Sequence, residues 1–320
     1  MPDTFEILQK PVLVLGASGF IGSRVVAALS ADPRYRPIAA SRHSDLTLDA
    51  TDAGAVREAM NGVAFVINCI AGSPGAMVKS TQALCDAARS VPPRRIVHLS
   101  SMAVYGAATG TVREDQPPVM PISGYGQIKI QCEDIIRKYV EDGGDAVILR
   151  PTCVFGPGSP QWTTRMVRLL RAGRIGDLGV AGDGCCNLAF INDVVSAIVS
   201  ALDRPGIRGQ TFNLSSAADL SWNEFLIALG KQIGATPIRR ISSRQLRMET
   251  KLLAPLRRIA AMAVRSHATE AITPSLAALW RQDIRIDCAA ARSALALHQT
   301  STEDMITAVT RDDRLMKELA

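Results

Sequence analysis

Pro11-Val-Leu-Val-Leu-Gly-Ala-Ser-Gly-Phe-Ile-Gly22 is an apolar run that stops at a glycine and passes into a glycine-spaced turn. An unbroken apolar stretch of this length reads as a strand buried on both faces, the kind found in parallel sheets. Residues 20–30 then follow a helical pattern, so Gly16, Gly19 and Gly22 occupy a strand-to-helix turn. Glycines there permit a tight turn and bring backbone N–H groups close to a pyrophosphate, which the positive end of the helix dipole also favours. The spacing is G-x-x-G-x-x-G rather than the G-x-G-x-x-G of the common dinucleotide fingerprint.

Outward from this turn, strand and helix alternate. Strands are expected over residues 36–41, 63–70, 95–100, 145–150 and 210–214, and helices over 52–61, 77–89, 124–142, 192–202 and 222–234. Alternation of this kind gives a parallel sheet covered on both faces, and right-handed crossovers make it doubly wound. The regularity fades after Arg150: residues 151–160 and 173–184 are rich in turn formers, and a smaller, α-rich C-terminal domain is expected. The division predicted is a dinucleotide domain over residues 1–178, with returns at about 187–215, and a substrate-binding or lid domain from 179–186 and 216–320.

Composition narrows the classes. The 320 residues are 47% hydrophobic and 21% charged, so the core can stand without disulfides or metals. Seven scattered cysteines form no C-x-x-C pair, and the four histidines never fall at i, i+4, so no metal site is expected. No apolar run approaches the ~18 residues of a membrane span. An acidic N-terminal stretch without an apolar core predicts no signal peptide, hence a cytoplasmic protein with reduced thiols. The net charge of +6 raises the question of a polyanionic partner, but aromatics are only 4% and no nucleic-acid motif is present, so no nucleic-acid partner is expected.

The chemistry-bearing residues lie on the expected C-terminal edge of the sheet. Tyr125 and Lys129 stand at i, i+4 on one helix and share a face. A phenol is a poor base at neutral pH, and a neighbouring ammonium is expected to lower its pKa and make it usable. Leu99-Ser100-Ser101 ends a strand, placing a hydroxyl where it can meet a substrate oxygen. The second strand ends Ser41-Arg42, with no acid to bind an NAD ribose; an arginine there suits the extra phosphate of NADP.

The order strand–glycine turn–helix, strand–Ser-Ser, helix Tyr-x-x-x-Lys resembles the extended short-chain dehydrogenase/reductase family, of the NAD-dependent epimerase/dehydratase type, with its Rossmann sheet. Ser100-Ser-Met-Ala-Val-Tyr-Gly106, Tyr125-Gly-Gln-Ile-Lys129 with Glu133, Leu149-Arg-Pro-Thr-Cys-Val-Phe-Gly-Pro-Gly158, Gly182-Asp-Gly184 and Phe190-Ile-Asn-Asp-Val194 carry the likeness over most of the chain. It implies hydride transfer at a carbonyl or carbinol carbon, with Ser101 orienting the substrate, Tyr125 as acid/base, and Lys129 holding the nicotinamide ribose. The cofactor, NADP with NAD as the alternative, is then expected against Gly16, Ser18, Gly19, Phe20, Ile21, Gly22, Ser41, Arg42, Asp49, Ala50, Ala71, Gly72, Tyr125, Lys129, Pro151 and Val154. The substrate is expected against Ser100, Met102, Phe155 and Asn187. The likeness further implies a homodimer through the helices near residues 77–89 and 124–139.

Substrate identity is less sharply written. Nucleotide-sugar members usually carry an arginine where this chain has Cys185-Cys-Asn-Leu188. Arg165, Arg168, Arg171 and Arg174 recur every third residue, either as a solvated face or as a clamp for an anionic substrate. Residues 239–265 hold eight cationic side chains against Glu249 alone, a local +7 that leaves −1 for the rest of the chain. The segment is amphipathic, and is expected to be either a lid helix or a peripheral membrane contact. The leading expectation is an NADP(H)-preferring oxidoreductase or epimerase acting on a small molecule, a carbohydrate-type hydroxyl or ketone linked to a nucleotide. The alternatives are a 3β-hydroxysteroid or other apolar alcohol dehydrogenase, and a non-catalytic NADP sensor.

Overall fold

A computed structural model describes residues 9–117, 119, 123–216, 220–254, 256–257 and 271–311. In chain order the main elements are β1 (Lys10–Leu15), α1 (Phe20–Ala31), β2 (Tyr35–Ser41), β3 (Leu46–Thr47), α2 (Ala53–Ala59), β4 (Phe65–Asn68), α3 (Pro74–Ser90), β5 (Arg95–Leu99), β6 (Gly110–Val112), α4 (Gly124–Glu141) and β7 (Ala146–Pro151). Beyond these lie β8 (Cys153–Phe155), α5 (Arg165–Arg171), β9 (Leu188–Phe190), α6 (Ile191–Asp203), β10 (Thr211–Leu214), α7 (Trp222–Gln232), α8 (Ser243–Met248), α9 (Pro274–Trp280), β11 (Ile284–Ile286), α10 (Ala289–Leu295) and α11 (Thr302–Thr310).

Seven strands form one sheet in the order β10-β7-β5-β4-β1-β2-β3, every pair parallel. The expected doubly wound sheet is therefore the fold. All residues of β4, β5 and β7 are buried, as strands covered on both faces must be. Alternate residues serve opposite layers: Val12 and Val14 join α1 and α6, while Leu13 and Leu15 join α3 and α4 through Leu84, Cys85 and Ile136. The chain winds outward from β1 through β2, then returns to β4 on the other side of β1. A ligand crevice is expected at such a switch point, beyond the carboxyl ends of the strands.

The glycine turn closes this point by backbone contact. Gly16 has φ +78°, and a Cβ there would come 2.9 Å from the Cys69 carbonyl carbon. A Cβ on Gly22 would collide with the Gly16 carbonyl oxygen. Gly22 therefore packs α1 against the turn; it is not among the cleft-lining residues, and the cofactor contact expected of it is corrected to a packing role.

Short strands pair over long sequence distances in two further places. β8 pairs with β9, and β6 with β11. The C-terminal half is mostly helical and shares a continuous apolar core with one face of the sheet, through Trp222, Phe225 and Trp280. Residues 255 and 258–265 of the cationic segment lie outside the described residues.

Gly22→Ala is expected to lower the unfolding free energy by about 1–3 kcal/mol, the cost of overpacking a filled contact. Urea denaturation checks this, the midpoint falling with an unchanged slope.

Candidate active site

A cleft of about 1160 Å³ follows the carboxyl edge of the sheet. The turn after β1 lines it with Gly16, Ser18, Gly19, Phe20 and Ile21. Gly19 begins α1 and has no side chain to cap it, so the first-turn amides are available to an anion. Next along the edge come Ser41 and Arg42 after β2, Asp49 and Ala50 before α2, and Ala71 and Gly72 after β4. Ser101 and Met102 follow β5, Tyr125 and Lys129 project from α4, and Pro151 and Val154 close the row. A strand-edge groove with an uncapped helix start and cations at Arg42 and Lys129 fits an elongated dianionic dinucleotide.

Ser101 accepts a hydrogen bond from the Ala103 amide (3.2 Å), which starts the short 3-10 turn Met102–Tyr105. Tyr125 sits in the first turn of α4, where the Ser123 hydroxyl caps the Gly126 amide. Burial of the Tyr125 hydroxyl raises its pKa, and its hydrogen bond with Ser101 offsets this only in part. The residue as a whole is 43% exposed, so its ring faces the open cleft while the hydroxyl end is enclosed.

Lys129 is buried, with its Nζ 5.8 Å from the Tyr125 ring centroid. That ammonium donates to the Leu99 carbonyl at 2.7 Å. Burial lowers the lysine pKa, partly offset by Cys132, Cys69 and Glu133. In this arrangement burial raises the phenol, and the lysine charge is directed at a strand carbonyl.

Behind these groups lies a buried polar network. Arg150 on β7 makes a two-pronged pair with Glu133 on α4, Nε to Oε1 at 2.9 Å and a terminal nitrogen to Oε2 at 2.7 Å. Ser100 donates to Glu133 Oε1 (2.5 Å), and Arg137 donates to Oε2 from the protein surface (2.5 Å). Arg150 also donates to the Tyr105 hydroxyl (2.8 Å), which in turn donates to Asn213 on β10 (2.6 Å). Burial raises the Glu133 pKa, but the hydrogen bonds and charge of Arg150 outweigh it and hold the carboxyl below its usual range.

Two expected substrate contacts are corrected. Ser100 lines the cleft, with its hydroxyl committed to Glu133. Phe155 is absent from the cleft lining, fully buried, and edge-on to Phe225 at 5.4 Å. Asn187 is also absent from the lining; its amide donates to the Ile284 carbonyl (2.8 Å), fastening β9 to β11. Met102 does line the cleft.

The lining also contains groups that local motifs did not mark. Gln161, Trp162 and Arg165 come from the helical stretch after β8, and Thr273, Ser275, Leu276, Leu279 and Gln282 from around α9. Of the arginine stripe, Arg165 reaches the cleft, bonding Gln161 (2.9 Å) and the Ala271 carbonyl (2.5 Å), whereas Arg174 pairs with Glu249 (2.9 Å). Among the described residues no cluster of histidine, cysteine and carboxylate could hold a metal ion. No helix among them is long and apolar enough to cross a membrane.

The NAD dependent epimerase/dehydratase family profile matches residues 12–215. The chain belongs to this family. It is an NAD(P)-dependent enzyme of the extended short-chain dehydrogenase/reductase type. UDP-glucose 4-epimerase of Vibrio cholerae is 26% identical over 260 residues, 72% of this chain and 79% of that one. N-acetyl-alpha-D-glucosaminyl-diphospho-ditrans,octacis-undecaprenol 4-epimerase of Escherichia coli O157:H7 is 25% identical over 237 residues, 68% of this chain and 71% of that one. The crystal structure of UDP-glucuronic acid 4-epimerase from Bacillus cereus, in complex with UDP-glucuronic acid and NAD, superposes with a TM-score of 0.75 at 20% identity, covering 97% of this chain and all of the other.

Glu133→Ala is expected to cost about 3–5 kcal/mol of stability, because Arg150 is left buried without its counter-charge. The depressed Glu133 pKa gives a sign as well. Its contribution is complete above the ordinary carboxyl value of 4.5 and is lost as pH falls through the lower folded value. Unfolding free energies measured from pH 7 downward should show this acid limb in the wild type and lose its Glu133 component in Glu133→Gln.

Proposed function

We propose that this enzyme oxidises or reduces a sugar hydroxyl or ketone, with Tyr125 as the acid/base, Ser101 as its partner on the substrate oxygen, and Lys129 as the anchor for the nicotinamide ribose. The observation that carries the reading is the convergence of these three side chains in a single cleft with the uncapped glycine turn. In reduction the Tyr125 hydroxyl donates its proton to the carbonyl oxygen; in oxidation the phenolate accepts the carbinol proton. The nicotinamide, when bound, supplies or takes the hydride.

We infer a sugar carried on a diphosphate, with a nucleotide as the first candidate carrier. The similar 4-epimerases point this way, and Arg165 supplies a cation at the part of the lining contributed by α5 and α9. The missing arginine at residues 185–188 shifts the anion contact toward Arg165. An assay of UDP-linked and polyprenyl-diphosphate-linked sugars, following C4 configuration and nicotinamide absorbance, tests the class. Turnover of only free apolar alcohols would overturn it.

We infer NADP(H) as the preferred cofactor. Arg42 follows the end of β2 and is exposed in the cleft wall beside Asp49, while the Ser41 hydroxyl is tied to Ser44 (2.6 Å) and to the His43 amide (3.0 Å). We further infer a homodimer through α3 and α4, supported by the resemblance to the family.

Tyr125→Phe is expected to reduce kcat by two or more orders of magnitude, roughly the scale of acid–base catalysis, while the cofactor Kd changes little. Because burial raises the phenol pKa, the oxidation rate should climb with pH through the alkaline range, whereas reduction holds through neutrality and then falls. Arg42→Ala should lower the NADP-to-NAD ratio of kcat/KM by roughly tenfold, the scale of one lost charge-assisted contact. Equal use of both cofactors by the wild type would refute the preference.

A further inference from the structure

The cationic segment carries a surface that catalysis does not use. Ser242 and Gln245 form a reciprocal cap at the start of α8. The helix continues from α8 through a wider turn, Glu249–Leu253, into Ala254. Leu246, Thr250 and Ala254, four residues apart, are buried against the protein. Met248, Leu252 and Leu256, also four apart, form a second row that is 46%, 64% and 62% exposed. Among the described residues six large apolar side chains are exposed, and half of them stand on this one helix.

A third row runs beside the apolar one. Arg244, Arg247 and Lys251 are exposed, and the helix's own acid is turned away from them: Glu249 pairs with Arg174 at 2.9 Å and with Arg257 at 3.3 Å. The outward surface is thus an apolar ridge alongside a cationic ridge, on a chain whose charge is close to neutral elsewhere. Two-fold pairing with a second copy would set cations against cations, with no acid among the described residues of these two rows to answer them. A nucleic acid would leave the leucines uncovered. An anionic bilayer surface satisfies both rows at once, with leucine and methionine at the acyl boundary and cations among the headgroups.

We propose that this helix docks the enzyme on anionic phospholipid membranes. α9 packs against the helix and also contributes Ser275, Leu276 and Leu279 to the cleft, so the bilayer is met one helix away from the cleft wall. The proposal is independent of the substrate reading, because docking is measured without turnover.

The test is flotation of the full-length enzyme with vesicles of phosphatidylcholine alone or mixed with phosphatidylglycerol. The enzyme should float with the mixed vesicles at low salt, be released at high salt, and stay behind with phosphatidylcholine alone. The variant Leu252→Glu/Leu256→Glu should lose about tenfold or more in vesicle affinity, as loss of buried apolar area at the interface requires. The variant Arg244→Gln/Arg247→Gln/Lys251→Gln should flatten the salt dependence. Both should keep the wild-type thermal transition and soluble-substrate turnover. Absence of flotation at low salt, flotation unaltered by both variants, or a dimer that the leucine variant dissolves while vesicle binding stays unchanged would each overturn the proposal.

Discussion

A carboxylate and a guanidinium buried together set the terms for the rest of this molecule. Glu133 and Arg150 are both nearly inaccessible to water, and ions in such a place are tolerated only when every partner is supplied. The partners come from separate elements: Ser100 at the end of β5, Tyr105 in the following turn and Asn213 on β10. Relative to a well-packed apolar pair the net stabilisation is small, so what the pair contributes is placement. Ser101 is the neighbour of one partner, and Tyr125 and Lys129 share α4 with Glu133. The placement of these three side chains is thereby referred to a rigid charge pair instead of to loops.

The same seclusion tunes the site. Burial pushes the Tyr125 phenol up and the Lys129 ammonium down, each away from its charged form. Cys69 in the cleft wall is pushed up to about 12, and is therefore an inert thiol. His98, fully enclosed next to β4, is pushed down to about 3 and stays a neutral partner of Asn68, whose carbonyl oxygen receives the Ile70 amide. The cations of the lining are Arg42, Lys129 and Arg165.

Much of this was legible in the chain because the signals are local. An apolar run ending at Gly16 gives a buried strand and a turn, and Tyr125 and Lys129 share a face because a helix repeats every 3.6 residues. The misplaced residues fail for an equally definite reason. Val154 and Phe155 are adjacent on β8, and alternation sends one to the cleft and the other to the core; a motif marks the pair without saying which is which. Ser100 and Ser101 both line the cleft, but Ser100 turns its hydroxyl to the network. Asn187 looked like a ligand because its polarity is visible in sequence, whereas its partner, the Ile284 carbonyl, is not. Thr273 to Gln282 reach the cleft through tertiary packing alone, and nothing near them in sequence foretells it.

The interleaving of strands bears on how such an enzyme can be divided. β10 reaches the sheet only after the chain has left it to build part of the other half, and it brings Asn213 to the charge network. β6, from the first half, finds its partner in β11, more than 170 residues later. The N-terminal half is therefore not a detachable module. A cut before β10 strips the network of its amide, and a later one leaves the β6 edge bare. Exchanging whole halves between relatives would break both pairings at once.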